Sequence, residues 1–258
     1  MKKIHLSFDD GPHSSNTPLV LDILKAHQIK STFFVLGERV KAHGKIISRI
    51  VTEGHRVGNH TYSHKQLTTL SDREIKDEII STEKLISQYA PTDYIIRPPY
   101  GARNTRVNNL IASLNYHSVL WSVDTEDWKR KPDTWINYGI EQIKKRELSL
   151  VLMHDIHATT AAGLQRFIEQ VKMTGAEFAD LEYITGFPPP DTTINPLPSA
   201  EPPAPTLRYH VVKTGETLSS IAKKYYGTTH QWRKIYQANM ATISNPNVIT
   251  AGMRLLIL

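Results

Sequence analysis

The 258-residue chain contains no cysteine, which excludes disulfides, thiolate metal ligands and a cysteine nucleophile together. No stretch approaches the roughly 20 consecutive apolar residues that a membrane helix needs, so no membrane span is expected. No HExxH occurs, which leaves a metalloprotease of that type unsupported. No internal repeat is visible. Nor does charge of one sign run through the chain: residues 1–207 hold 24 Lys+Arg and 24 Asp+Glu, which cancel. The net charge of +6 comes entirely from residues 208–258, where seven basic residues face only Glu216. A small basic module on a neutral body is not the footprint of a nucleic-acid enzyme, so no nucleic-acid partner is expected. Its charge would at most favour some polyanion. The rest is ordinary: 40% apolar and 22% charged residues, enough for a packed core.

Proline marks the one clear boundary. Eight of the fifteen prolines fall between Phe187 and Leu207, a density that forbids helix interiors and central strands and favours extended polyproline II. The expected organisation is a domain over 1–187, a semi-rigid linker over 188–207 reaching roughly 60 Å at most, and a module over 208–258. In the first domain short β-type runs alternate with helical ones. Strands are expected at Lys3–Phe8, Thr32–Leu36, Arg56–Gly58, Tyr94–Ile96, His117–Ser122, Ser149–Met153 and Glu177–Ala179. Helices are expected at Pro18–His27, from a Ser71/Glu74 capping box to about Tyr89, and near Thr105–Leu114, Thr134–Arg146 and Ala161–Thr174. This is an α/β pattern with a parallel sheet, open or closed into a barrel. The last 51 residues read as a strand, two helices and a strand, a βααβ module with a small core.

Polar clusters fall where these strands end, which is where parallel sheets gather functional groups. Ser7-Phe8-Asp9-Asp10-Gly11-Pro12 sets two carboxylates before a Gly-Pro turn; alone it reads as a solvated turn. His60-Thr61-Tyr62-Ser63-His64 places two histidines four apart, the spacing that puts both on one face of a helical turn within reach of one ion. One Asp and two His supply three ligands and leave a position for water, the pattern of a catalytic zinc site, while the other carboxylate of the pair takes a proton. Arg97-Pro98-Pro99-Tyr100-Gly101 offers a guanidinium for a carboxylate, and Trp121-Ser122-Val123-Asp124-Thr125-Glu126-Asp127-Trp128 offers acids beside aromatics. Leu152-Met153-His154-Asp155 places a histidine that becomes a general acid if a carboxylate fixes its tautomer.

Together SFDDGP, HTYSH, RPPYG, DTEDW and LMHD, in this order over residues 3–185, resemble the polysaccharide deacetylases of carbohydrate esterase family 4. Ser7 stands where that family more often has Thr. The resemblance implies a distorted (β/α) barrel that removes N-acetyl groups from glycans with a divalent metal, Zn²⁺ or in some cases Co²⁺. It implies Asp9 as general base, Asp10, His60 and His64 as metal ligands, and Arg97 as the group that orients Asp9. The Tyr100 backbone N–H would hold the oxyanion, His154 would protonate the leaving amine and Asp127 would tune His154. Trp128 and Leu152 would line the acetyl pocket; Asp124 and Asp155 match the motifs without an assigned role. Residues 208–258 resemble a LysM module, which implies binding of glycans that contain N-acetylglucosamine. Its groove would lie between Gly215, Glu216, Thr217 and Leu218 and the loop of Asn247, Val248 and Ile249.

The reading that follows is a peptidoglycan N-acetylglucosamine deacetylase anchored by LysM. Chitin or its oligomers are the alternative glycan, with acetylxylan hydrolysis and a catalytically silent wall-binding protein behind them. Intact ligands, base and acid weigh against silence. An extracellular or wall location is expected from the two domains. The first residues, however, run into a strand with no apolar signal segment, as in a mature form or a spore-assembled protein.

Overall fold

A computed structural model describes residues 1–91, 93–186, 208–239, 243, 245, 246 and 248–257. The expected linker over 188–207, and Asn247 of the second module, lie outside the described residues. The described residues fall into two compact units.

In the first unit the order is β1 (Lys3–Asp9), α1 (Asn16–Ala26), β2 (Thr32–Val35), α2 (Gly37–Ala42), α3 (Gly44–Thr52) and β3 (Arg56–Asn59). Then come α4 (Asp72–Ile86), β4 (Ile95–Ile96), α5 (Thr105–Ser113), β5 (His117–Ser118), β6 (Val123–Asp124) and α6 (Pro132–Lys144). The unit ends with β7 (Leu148–His154), α7 (Ala158–Met173), β8 (Glu177–Phe178) and α8 (Leu181–Thr185). All sheet pairings are parallel, in the order β5-β4-β3-β2-β1-β7-β6, with β8 joined to the start of β1. The central strand β1 is buried from Ile4 to Asp9 on both faces, as in a helix-covered parallel sheet, and its apolar Ile4, Leu6 and Phe8 alternate with the buried polar His5, Ser7 and Asp9. Its one interior imidazole, His5, is satisfied by the Ala179 carbonyl at 2.8 Å and the Thr32 hydroxyl at 2.9 Å.

The two outer strands, β5 and β6, are consecutive in the chain and unpaired with each other among the described residues. The architecture is thus a parallel half-barrel with helices, and residues 119–122 cross its open seam. The expected single strand over His117–Ser122 is accordingly corrected to two short strands. The chain breaks there because the carbonyls of Val119 and Leu120 bond an arginine side chain instead of a neighbouring strand. Helix α4 begins at the Ser71/Glu74 capping box and buries Ile75, Ile79 and Ile86, as its spacing predicts.

The second unit is βααβ: β9 (Arg208–Val211), α9 (Leu218–Tyr226), α10 (Trp232–Ala238) and β10 (Arg254–Ile257), with β9 and β10 antiparallel. Val212, Leu218, Ile221, Ile235, Leu255 and Ile257 form its core. Thr217 caps α9, and buried His210 holds the Glu216 carboxylate at 2.6 Å just before it. No described helix is long and apolar enough to cross a membrane.

Candidate active site

The carboxyl ends of β1, β3, β4, β6 and β7 deliver the polar motifs to one cavity of about 430 Å³, well sized for a small ligand group. Its walls are Asp9, Asp10, His60, His64, Tyr100, Trp121, Asp124, Trp128, Leu152, His154 and His157. Apart from Asp155, every catalytic-motif residue singled out from the sequence therefore lines this cavity or, like Arg97 and Asp127, is hydrogen-bonded to a residue that does.

Asp9 and Asp10 are neighbours with separate surroundings. Asp9, 3% exposed, accepts a 2.7 Å hydrogen bond from Arg97 Nη1. Arg97 is wholly buried; its Nε and Nη2 donate to the Val119 and Leu120 carbonyls at 3.0 and 3.1 Å, and its guanidinium lies 4.1 Å from the centre of the Phe34 ring. Burial pulls its pKa down against the support of Asp9. Asp10 turns away because its backbone is left-handed, with φ of 72°. Its Oδ1 lies 3.3 Å from His60 Nε2 and 3.2 Å from His64 Nε2, yet this buried oxygen makes no hydrogen bond. Burial opposes its charge, but His60, His154 and His64 together hold its carboxyl well below the usual range.

The donor atoms of Asp10, His60 and His64 all lie within 4.8 Å of one another. His60 Nδ1 sits 2.6 Å from the Arg97 carbonyl and must donate to it, which leaves Nε2 as a free lone pair aimed at the cluster. An orphaned carboxylate oxygen and a lone pair facing each other are what a cation between them resolves, so the donor set fits a divalent metal with positions left open. The expected helical turn between the two histidines is corrected: residues 60–64 form a loop after β3. Left-handed residues Thr61 and His64, with φ of 71° and 60°, bring the two rings together where a helix would have used its period.

Opposite, His154 is bracketed by Asp127, which is wholly buried. One Asp127 oxygen takes His154 Nδ1–H at 2.8 Å; the other takes the His154 backbone N–H at 2.7 Å and the Thr160 hydroxyl. Burial lowers the imidazole's pKa, but the Asp127 bond and charge, with Asp9 and Asp10 beyond, outweigh it and raise the value to about 9. Tyr100 is also left-handed, with φ of 60°, and its ring meets His64 at 4.7 Å between centroids. Trp128 is half exposed and Leu152 buried on the same wall. Asp155 proves structural: it is wholly buried, accepts from the Thr17 hydroxyl, and occupies the space that a Cβ on Gly11 would need. Burial pushes its carboxyl up to about 7.

Sequence reasoning passed over Trp121 and His157 as cavity walls. Trp121 had a signal, since it opens the Trp-rich motif; His157 had only its place one turn beyond His154. In the second unit a groove of about 380 Å³ is lined by Glu216, Thr217, Leu218, Ser219, Trp232, Pro246 and Ile249. Gly215, with φ of 83°, turns the chain into it, and Val248 is exposed. Trp232 is the groove's aromatic wall and was missed, because a tryptophan at a helix start reads as core.

Comparison with known proteins finds a family for each unit. Residues 1–119 match the polysaccharide deacetylase family and residues 210–258 the LysM domain. Among curated proteins, the peptidoglycan-N-acetylglucosamine deacetylase PgdA of Listeria monocytogenes is 43% identical over 194 residues, covering 72% of this chain and 39% of that one. The chain thus spans about two fifths of that relative's length. A peptidoglycan-N-acetylglucosamine deacetylase of Bacillus cereus is 39% identical, covering 69% of this chain and 66% of its own. Among solved structures, the Bc1960 peptidoglycan N-acetylglucosamine deacetylase superposes with a TM-score of 0.68 at 36% identity, covering 72% of this chain and 89% of that one.

Proposed function

Because the chain belongs to the polysaccharide deacetylase family, we propose that its first unit removes N-acetyl groups from the N-acetylglucosamine residues of peptidoglycan, releasing acetate. The observation that carries this is the three-donor cluster of Asp10, His60 and His64, flanked by the Arg97-paired Asp9 and the Asp127-paired His154 in one cavity.

A divalent ion, Zn²⁺ by the preference of two imidazoles and a carboxylate, would be held by Asp10, His60 and His64 and would activate water and polarise the acetamide carbonyl. Asp9, oriented by Arg97, accepts the proton of the attacking water. The water oxygen bonds to the carbonyl carbon while the Tyr100 backbone N–H donates to the oxygen on which charge develops. His154 gives its Nε2 proton to the amide nitrogen as the C–N bond breaks, and Asp127 steadies the ring through Nδ1. Trp128 and Leu152 receive the acetyl methyl. Acetate and a free amine leave, with no covalent intermediate on the protein.

His154 must carry its proton, so the rate is expected to persist to high pH and fall as pH rises through about 9. Asp127→Asn removes the charge that holds the proton there. Its alkaline limb should move toward the ordinary histidine value of 6.5, with at least a tenfold loss at pH 8. A kcat/KM profile whose limb stays in place would remove Asp127 from this role.

The LysM unit is read as the anchor, with N-acetylglucosamine in the groove between Glu216–Ser219 and Ile249, against Trp232. The pairing of a deacetylase unit with a LysM unit supports a location at a glycan wall, with residues 188–207 read as the linker between them. The test is acetate release from purified peptidoglycan and from chitin oligomers, side by side, after chelation and after return of Zn²⁺ or Co²⁺. Chelation should abolish release and metal should restore it, with peptidoglycan the better substrate. Better release from oligomers moves the substrate to chitooligosaccharides. Silence on both by metal-loaded protein overturns the N-deacetylase reading and leaves xylan acetyl groups or wall binding alone.

A further inference from the structure

Asp124 ends β6 beside Leu152, its register partner on β7. The backbone of Asp124 is fixed by one side chain: Gln142 Oε1 accepts its N–H at 3.2 Å and Gln142 Nε2 donates to its carbonyl at 2.6 Å. Its carboxylate is committed on one side only, where Oδ1 accepts the Glu126 N–H at 2.9 Å and closes the turn toward Asp127. Oδ2 has no hydrogen-bond partner among the described residues, and it is not a sealed atom, because the side chain lines the cavity. A turn needs one oxygen. The second is an acceptor held rigidly on the wall that also carries Leu152 and Trp128.

We propose that Asp124 is a specificity-determining residue: Oδ2 accepts a hydrogen bond from a hydroxyl of the sugar whose acetamide is cleaved, and disfavours a sugar in which an ether replaces that hydroxyl. This rests on the deacetylase reading above and deepens it. In peptidoglycan the two acetamido sugars differ in that way: glucosamine keeps its hydroxyl, whereas muramic acid replaces it with a lactyl ether, whose oxygen has no proton to donate. Asp9, Asp10 and Asp124 already give the cavity three carboxylates. An ether there would add only further lone pairs and would leave Oδ2 without a donor in a half-buried place, where an unpaired acceptor is costly. The pairing is a positive contact for one sugar and a penalty for the other, the combination that yields selectivity.

The test uses the full chain loaded with Zn²⁺, as wild type, Asp124→Asn and Asp124→Ala. Asparagine still accepts the Glu126 N–H, so the turn is kept while the charge and the free acceptor are lost. Acetate release is followed on tetra-N-acetylchitotetraose, and mass spectrometry of muramidase-digested peptidoglycan locates the acetyl group removed. Expected for Asp124→Asn are a KM raised about tenfold on the tetrasaccharide, kcat changed less than threefold, and a several-fold larger share of deacetylated muramic acid. The alanine variant should share the KM effect. A fall in kcat at constant KM, or kinetics equal to wild type in both variants, overturns the proposal. A raised KM with no gain on muramic acid overturns the discrimination between hydroxyl and ether. Wild type inactive on both glycans instead brings down the deacetylase reading on which the proposal stands.

Discussion

Asp9→Asn should lower kcat/KM for acetate release by about 10²- to 10⁴-fold, the loss typical of removing a general base. Asn is nearly isosteric and still accepts from Arg97 Nη1, so the side chain stays in place and only its ability to take a proton is lost. Metal content should stay at the wild-type level, because the cluster of Asp10, His60 and His64 is untouched. That pairing of results separates Asp9 from its neighbour: Asp10→Asn should lose metal as well as activity. Steady-state rates with elemental analysis of the same samples make the check. An Asp9→Asn enzyme within threefold of wild type would give the base role to another group.

Arg97→Met should cost more stability than any other single change at the site. It strands the buried Asp9 carboxylate and leaves the Val119 and Leu120 carbonyls at the seam without their donors. Breaking a buried ion pair on one side costs about 3–5 kcal/mol, which for a unit of this size lowers the melting temperature by roughly 10 °C. Arg97→Lys should recover only part of this, because an ammonium cannot serve Asp9 and two carbonyls from one planar fork. Calorimetric unfolding tells them apart; a methionine variant melting within 2 °C of wild type would mean the seam closes without the guanidinium.

Much of the site was legible because a parallel sheet gathers its functional groups at strand ends, and each motif ends or follows a strand. Asp9 after β1, His154 ending β7 and Arg97 after β4 were readable in that way. The His60/His64 loop was not, since a spacing of four is shared by a helix and by a loop with left-handed corners. Helices α2 and α3 escaped notice for a local reason: they are short, six and nine residues, and each opens on a glycine, a poor helix former. The break between β5 and β6 depends on a guanidinium some twenty residues earlier in the chain, a non-local contact that no window of sequence contains. Trp232 failed likewise, because whether an aromatic lines a groove or a core depends on what packs above it.

Asp10, Thr61, His64 and Tyr100 all hold left-handed backbone, a conformation that costs a non-glycine residue about 1 kcal/mol or more and is rarest for β-branched and bulky side chains. The site is therefore not portable as a set of side chains. Copied onto another barrel at the same strand ends but with relaxed loops, the ligand, the second imidazole and the Tyr100 N–H would each point elsewhere. A graft would have to carry the loops entire, together with the buried Asp155 and the bare Gly11 that let two of them pack. The same limit applies to drift within this chain: at these four positions a substitution is screened first by backbone and only then by chemistry.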